Sequence, residues 1–170
     1  MTIKEVKGRL EGEKIVYVGV HNNVCNSLIE GCIKTGVSIN TVTPLFNEPS
    51  RDLEILEQAK KSPLYKSTLD LKKAVKDADF IYTDTWVDME FFLDPKFKKE
   101  KLERVQLMLP YQINSDLLIG TNALVMHDMP IHRGYEITSQ VVESPNSIIF
   151  QQSENRLYSA MAVLVKLLEK

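Results

Sequence analysis

The chain has 170 residues and a formal net charge of −2, so it can bury one core and shows no excess of charge that would favour nucleic acid or a membrane surface as a partner. Hydrophobic residues make up 44% and charged residues 26%, which is the balance of a globular protein. No apolar stretch approaches the ~20 residues that span a bilayer, and no signal-peptide core follows Met1. We therefore expect residues 1–170 to form one domain.

The two cysteines indicate the compartment. Cys25 and Cys32 lie seven residues apart in one predicted helix, which separates them by about 10 Å, more than a disulfide tolerates. We expect both to be reduced, and we expect a cytoplasmic protein.

The first third of the chain predicts a strand, a helix and a second strand. Residues 14–19 form a short apolar run that ends in glycine, as buried strands often do. Apolar residues recur at helical spacing over 24–34, and Gly36 ends that helix. Residues 38–43 predict the second strand, and Pro44 is expected to stop it.

Two helices and a third strand are predicted next. Residues 50–61 carry a helical apolar pattern, and another helix is expected to open at Ser67, which has capping-box spacing to Asp70. Residues 79–84 predict the third strand.

The second half of the chain continues the alternation. The predicted elements are a helix at 102–108, a short turn at 113–118, a strand at 123–126, a helix at 137–142, a strand at 147–150 and a closing amphipathic helix carrying Leu157, Met161, Leu164 and Leu168. Strands that alternate with helices predict an α/β fold with an open, mostly parallel sheet of about five strands flanked by helices, as in Rossmann-like domains.

Polar residues collect in the loops that follow the predicted strands, where open α/β sheets bind ligands. All three histidines and the only tryptophan fall there; the set is His21, Asn22, Asn23, Asp84, Trp86, Asp88, Glu90, His127, Asp128, Pro130, His132 and Arg133. Any one of them could instead cap a turn or pack in the core. His127, Asp128 and His132 are too weak a pattern for a metal site, and both G-x-G-x-x-G and the P-loop are missing, so we predict no metal and no cofactor.

Four segments together resemble one enzyme family. Residues 18–24 (VGVHNNV) resemble V-G-D-G-N-N-V, residues 82–89 (YTDTWVDM) resemble Y-T-D-V-W-x-S-M-G, residues 126–134 (MHDMPIHRG) resemble M-H-C-L-P-A-H-R-G, and residues 153–157 (SENRL) resemble A-E-N-R-L. In this order they are similar to the ornithine carbamoyltransferases. The H-P-L-P-R pattern of aspartate carbamoyltransferases is missing.

The resemblance runs from about residue 2 to residue 170 and covers only the second, amino-acid-binding domain of the family. The S-T-R-T loop and the H-P-x-Q segment, which bind carbamoyl phosphate in the other domain, are not in the sequence. Residues 2–13 resemble the join between the two domains. The resemblance therefore implies either an excised domain or a separate gene product that needs a carbamoyl-phosphate-binding companion.

The resemblance also implies roles for individual residues. Asn23 and Asp84 match positions that hold the charged head of the amino acid, and Met89 matches the methionine of a mobile loop that closes over it. His127 and Arg156 match residues that contact the carbonyl oxygen of carbamoyl phosphate, where donors stabilise developing negative charge.

The Met129-Pro130 bond matches a cis bond of the family that turns backbone carbonyls toward the substrate amine. This implication places Met129 among the substrate-binding residues.

Three positions depart from the family pattern. Asp88 replaces the loop serine, Glu90 the following glycine, and Asp128 the cysteine after the histidine. Asp128 could hold a cationic amine and accept its proton. It would also repel carbamoyl phosphate, by ~4 kcal/mol per unit charge at 4 Å and an effective dielectric of 20.

Three functions stay open on these residues. The first is carbamoyl transfer to the side-chain amine of ornithine or a similar cationic amine, with Asp88 and Glu90 favouring the cation. The second is a diverged amino-acid-binding module without catalysis. The third is a fragment that folds and does nothing further.

Overall fold

The computed structural model describes residues 1–87 and 93–169. Within them the chain forms five strands: β1 (Lys14–His21), β2 (Ser38–Phe46), β3 (Tyr65–Ser67), β4 (Phe80–Thr83) and β5 (Leu124–His127). The α-helices are α1 (Thr2–Lys7), α2 (Asn23–Lys34), α3 (Leu53–Lys60), α4 (Leu71–Val75), α5 (Lys98–Met108), α6 (Ser139–Val142) and α7 (Ile149–Leu168). Short 3-10 turns lie at Glu48–Ser50, Pro95–Phe97 and Leu109–Tyr111.

The strands form one parallel sheet in the order β3-β2-β1-β4-β5, which confirms the predicted fold class. From β1 the chain first builds outward to β2 and β3, and it then returns to the other side of β1 for β4 and β5. The loops after β1 and β4 therefore leave the sheet in opposite directions and open a crevice between them.

The central strand is buried on both faces, as expected of a parallel sheet covered by helices. Val16 and Val18 join the core on one side, with Leu71 and Val75 of α4. Ile15 and Tyr17, together with residues of α2 and α3, belong to the core on the other side. Tight packing on both faces fixes where the loops after the strands emerge.

Pro44 does not stop the second strand, contrary to the sequence-based expectation. β2 runs on to Phe46, and its pairing with β1 shifts register between Val18 and Val20. A bulge at this point leaves residues out of the ladder, so the missing N–H of proline costs no hydrogen bond.

The expected helix start at Ser67 is also wrong. Ser67 is the last residue of β3, and α4 begins at Leu71, after Asp70 accepts a hydrogen bond from the Lys73 amide at 3.0 Å. Asp70 is therefore the cap, and the capping-box spacing from Ser67 is a coincidence.

The strand expected at 147–150 is wrong as well. Ile149 already lies in α7, and only an isolated bridge joins Val125 to Ser147. An apolar run of three residues does not distinguish a buried strand from the first turn of a buried helix.

The long last helix divides into a buried and an exposed part. Ile149 and Asn155 are buried, but every residue from Arg156 to Glu169 is exposed. Asn155 holds the amino-terminal helix in place, since its side-chain amide donates to Thr2 Oγ1 at 3.0 Å and to Glu5 Oε2 at 2.5 Å. Among the described helices none has the length and apolarity required to cross a membrane. Cys25 and Cys32 are free and buried.

Candidate functional site

A hydrogen bond spans the crevice between β1 and β4. Asn22 follows β1 and donates from Nδ2 to Asp84 Oδ2, which follows β4, at 2.6 Å. The other oxygen of Asp84 accepts from the Thr85 amide, also at 2.6 Å. Asp84 is 5% exposed, so these donors replace most of the water that a carboxylate needs. Asp84 is thereby held at the centre of the crevice.

Asn22 also starts the helix that forms one wall. Its Oδ1 accepts from the Cys25 amide at 3.0 Å and caps α2, as asparagine does well. Asn23 is the first residue of that helix and is exposed at the mouth of the crevice. The structure therefore brings the two predicted residues for the amino-acid head, Asn23 and Asp84, to one edge of the sheet.

His127, which ends β5, is buried, and both of its ring nitrogens have partners. Nδ1 accepts from the Met129 amide at 2.8 Å, so the ring hydrogen lies on Nε2, which faces Glu136 Oε1 at 3.3 Å. The same oxygen of Glu136 accepts from the His132 amide at 2.6 Å. His127 thus fastens the loop after β5 from below, and its nitrogens are engaged within the chain.

Met129 has an unusual backbone in this loop. Its φ is 59°, in the left-handed region that side chains seldom adopt, and the Met129-Pro130 bond is cis, as the resemblance implied. The hydrogen bond from the Met129 amide to His127 contributes to holding this conformation. A residue other than glycine at a left-handed φ costs of order 1–3 kcal/mol, and such residues concentrate at binding sites.

Asp128 and Arg156 meet beside the crevice. The guanidinium of Arg156, from α7, donates to the backbone oxygen of Asp128 at 2.9 Å. The Asp128 side chain is 28% exposed, yet its Oδ1 is buried and lacks a hydrogen-bond partner among the described residues. The arrangement leaves the Asp128 carboxyl and an exposed cation side by side at the rim.

Asp84 and Asp128 face the same small space. One oxygen of each, together with a nitrogen of His127, lies within 4.8 Å of the others. Burial raises the pKa of the Asp128 carboxyl to about 7, and the neighbouring charge of Asp84 adds to the shift. The pair of carboxyl groups is therefore well suited to bind a cation.

The side-chain atoms around this space suit an ammonium group better than a metal ion. His127 already uses Nδ1 as an acceptor and carries hydrogen on Nε2, so it has no lone pair for coordination. Two carboxylates alone, without a third ligand from the described residues around them, make a poor structural metal site but accept an N–H⁺ donor well.

Some predicted residues are not brought into the site by the described structure. Asp88, Met89 and Glu90 lie outside the described residues, so their predicted roles stay predictions. His132 contributes its backbone amide to Glu136, and Arg133 pairs with Glu143 on the surface at 2.6 Å.

Two important residues were not singled out by the sequence patterns. Asn22 stood out only as a loop residue, although asparagine before an apolar helix is a recognisable cap signal. Glu136 could not have been found, because its partner His127 is nine residues away and no spacing rule links them.

Comparison with known proteins gives a consistent result over nearly the whole chain. Residues 11–167 match the family model described as aspartate/ornithine carbamoyltransferase, Asp/Orn binding domain. The ornithine carbamoyltransferase of Pyrococcus horikoshii is 41% identical over 173 residues, covering 99% of this chain and 53% of that protein. The ornithine carbamoyltransferase of Methanoculleus marisnigri is 43% identical, with 99% of this chain and 53% of that protein covered.

Solved structures agree with these matches. The ornithine carbamoyltransferase from Pyrococcus furiosus superposes with a TM-score of 0.81 at 38% identity, covering 96% of this chain and 52% of that one. The enzyme from Thermus thermophilus gives 0.80 at 34% identity, covering 99% and 52%. The chain spans about half the length of the relatives it matches.

Proposed function

Since this chain belongs to the aspartate/ornithine carbamoyltransferase family and matches its Asp/Orn-binding domain, we propose that it binds the acceptor amino acid for carbamoyl transfer. The donor is carbamoyl phosphate, and the acceptor is the side-chain amine of ornithine or a similar cationic amine. The observation that carries the proposal is the crevice between β1 and β4, where Asp84 stands fixed beside Asn22 and Asn23 with Asp128 facing it. Transfer to ornithine would belong to arginine metabolism.

The charge of the crevice favours a cationic acceptor over aspartate. Asp84 and Asp128 present two carboxyl groups to one space, and a second carboxylate on the substrate would be repelled there. An ammonium group instead gains charge-assisted hydrogen bonds from both.

The proposed reaction divides its work between two residues. Asp128 takes a proton from the acceptor ammonium, and the freed amine attacks the carbamoyl carbon. The carbonyl oxygen gains negative charge, and the exposed guanidinium of Arg156 stabilises that charge. The carbon–oxygen bond to phosphate then breaks, the phosphate leaves with the electron pair and a proton from the amine nitrogen, and Asp128 returns its own proton to solvent.

His127 and Met129 serve this proposal by shaping the loop. His127 is buried and engaged at both nitrogens, so its contribution is to hold the backbone of Asp128 and Met129 in place. A loop fixed in this way keeps the amine and the carbonyl in line, which supplies much of the rate gain in such reactions.

The proposal includes a second domain for carbamoyl phosphate, on the same polypeptide or on a companion chain. Relatives are about twice as long as the matched region. The exposed stretch of α7 supports this part, because eight apolar residues are half to three-quarters exposed there; they are Leu157, Tyr158, Met161, Val163, Leu164, Val165, Leu167 and Leu168. A helix that is apolar on every side is usually covered.

The test supplies the missing half. The chain is mixed with, or fused to, the remaining half of the Pyrococcus horikoshii relative, and the carbamoylated product is measured with ornithine, lysine and aspartate as acceptors. We expect product with ornithine, little with lysine and none with aspartate. Arg156→Gln should lower kcat by about 10²- to 10³-fold. No product from any diamino acid would count against catalysis.

The second candidate is an amino-acid-binding module without catalysis. The position of Asp128 beside Arg156 favours it, because a carboxylate there would repel an incoming phosphate dianion. It predicts saturable ornithine binding by calorimetry, lost in Asp84→Ala, together with no product in the reconstituted reaction. Binding and turnover therefore separate the two candidates, and the absence of saturable binding to any amino acid would remove both.

A further inference from the structure

We propose that Asp84 and Asp128 act as one acid pair that holds a single proton in the empty site, and that the ammonium group of the acceptor displaces this proton on binding. The inference rests on the proposed function, and it goes further by assigning the selectivity to the exchange of one cation for another. Asp128 stands where the family pattern has cysteine, so the exchange is a property of this chain.

The geometry leaves the pair short of one cation. The two carboxyl groups lie within 4.8 Å, and Asp84 is almost fully buried. Asn22 and Thr85 donate to Asp84. The buried Oδ1 of Asp128 has no hydrogen bond among the described residues, and His127 Nδ1, which lies 3.4 Å from it, is itself an acceptor for the Met129 amide. A proton on that oxygen would satisfy it, because a carboxylic acid can donate to the carboxylate opposite.

The uncharged groups around the two carboxyl groups do not supply the missing positive charge. Tyr17 of β1 and Tyr82 of β4 are neutral, since burial raises the pKa of each phenol well above its usual value. Cys25 of α2 is a neutral thiol, because burial raises the pKa of that group as well. His127 of β5 carries one ring hydrogen, already directed at Glu136.

The only cation that the described structure places at the pair is Arg156 of α7, and its guanidinium is used on the backbone oxygen of Asp128. Asp88 and Glu90 of the following loop lie outside the described residues. Two ionised carboxylates carry two negative charges, and Arg156 supplies one positive charge. The group can therefore bind one further positive charge, either H⁺ or an ammonium group.

The exchange makes acceptor binding depend on pH in a defined direction. Burial beside Asp84 raises the pKa of Asp128 to about 7, so the empty pair holds ~0.9 proton at pH 6 and ~0.1 at pH 8. The acceptor must expel that proton below pH 7. Affinity should therefore rise about eightfold between pH 6 and pH 7.5 and level off above that.

The experiment counts protons. Ornithine is titrated into the full chain by calorimetry at pH 6 and at pH 8, each in two buffers with different ionisation enthalpies. We expect release of about one proton per ornithine at pH 6 and almost none at pH 8. Norvaline has the α-ammonium group of ornithine but lacks the side-chain amine, so it should bind more weakly and release none. Release of a proton by norvaline would mean that the α-ammonium group displaces it, and would overturn the assignment to the side-chain amine.

Two variants make the assignment specific. Asp128→Asn should abolish proton release and flatten the pH dependence, whereas Asp77→Asn, an exposed acid after α4 away from the crevice, should change neither. Ornithine binding at pH 6 without proton release would overturn the inference and leave the proposed function standing. No binding of any amino acid would overturn both.

A measurement without ligand completes the test. Carboxyl ¹³C NMR of the labelled chain should show one aspartate titrating near pH 7, which returns toward its usual range in Asp84→Asn. Titration of every aspartate below pH 5 would overturn the inference. Saturable Mn²⁺ binding that releases the same proton would overturn the conclusion that the acid pair binds an amine.

Discussion

The Asp128 carboxyl is harder to ionise in the folded chain than in the unfolded chain, because it is largely removed from water and faces Asp84. An unfolded aspartate has an ordinary pKa of 3.8, whereas burial raises the pKa of the folded one to about 7. Between these values the folded state binds more protons, so this site's contribution to stability is full below pH 4 and is lost as the pH rises to 7.

Asp128→Asn should therefore stabilise the fold at high pH only. At pH 8 we expect the free energy of unfolding to rise by about 2–4 kcal/mol. At pH 4 it should stay within ~0.5 kcal/mol of the wild-type value. Urea denaturation at the two pH values measures both. An equal gain at both pH values would mean that the asparagine simply packs better.

The side chain of Glu136 is fully buried. It accepts from the His132 amide and faces His127 Nε2, so its removal leaves two buried N–H groups without an acceptor. Glu136→Ala should cost about 2–5 kcal/mol of unfolding free energy. Glu143→Ala, which removes the exposed partner of Arg133, is the matched control and should cost less than ~1 kcal/mol. A small loss at Glu136 would show that water takes its place.

At the scale of the elements, α2 begins with a residue that does two things. Asn22 caps the helix and also donates to Asp84 across the crevice. Asn22→Ser should keep the cap, so stability should change by less than ~0.5 kcal/mol. Serine is too short to reach Asp84, and ornithine affinity should fall by about tenfold, the cost of one hydrogen bond to a charged group.

Calorimetry and urea denaturation on the same variant separate the two roles of Asn22. Unchanged ornithine affinity would mean that the bond to Asp84 is structural only. A loss of stability as large as that of Asn22→Ala would mean that serine does not cap here.

The packing of α1 depends on one side chain of α7. Asn155 donates to Thr2 and Glu5, and few other polar contacts tie these helices together. Asn155→Ala should release α1, with amides 3–8 exchanging hydrogen about tenfold faster or more and a loss of about 1–3 kcal/mol. Gln151→Ala, which removes an exposed contact to Glu5, should leave their exchange nearly unchanged. Equal exchange in both variants would contradict the role given to Asn155.

The elements also show where sequence patterns stop being informative. Helical periodicity located α2 because its apolar face is long and its cap is a common type. Capping-box spacing failed at Ser67, which ends β3, and the apolar run at residues 147–150 failed to predict a strand. Segments of three or four residues take their structure from the neighbours they pair with or follow. Pro44 misled for a related reason, since a bulge is decided by the register of two strands.

At the scale of the whole molecule, the order of strands and helices was enough to predict the parallel α/β sheet, and the four motifs were enough to predict the family. The motifs also named the loops that meet at the crevice. They did not predict the pairing of Asp84 with Asp128, because those residues are 44 positions apart, and only the strand order β1-β4-β5 makes their loops neighbours. The predicted cytoplasmic location stays a prediction.

The exposed end of α7 gives a prediction for the molecule as a whole. Leu164 and Leu168 are 58% and 77% exposed and contribute little to folding. The double change Leu164→Lys and Leu168→Lys should alter the unfolding free energy by less than ~1 kcal/mol. It should lower the affinity for the supplied carbamoyl-phosphate half by tenfold or more, measured as the concentration of that half needed for turnover.

Leu69→Lys is the matched control, since Leu69 is also exposed but lies in the loop before α4. Equal loss of affinity in both variants would show that the effect is one of net charge. Unchanged affinity in the α7 variant would show that this helix takes no part in assembly.

The hydrogen bond from Asn22 to Asp84 joins the loops that follow two neighbouring strands, so the chain itself holds this side of the crevice in shape. In the proposed function, an acceptor would meet one wall made by two neighbouring strands, while the opposite wall is a single loop after β5. In that case, replacement of one side chain on the loop after β5 could change which amine reacts and at which pH. The residues proposed to bind the amino-acid head, on the other wall, would stay the same.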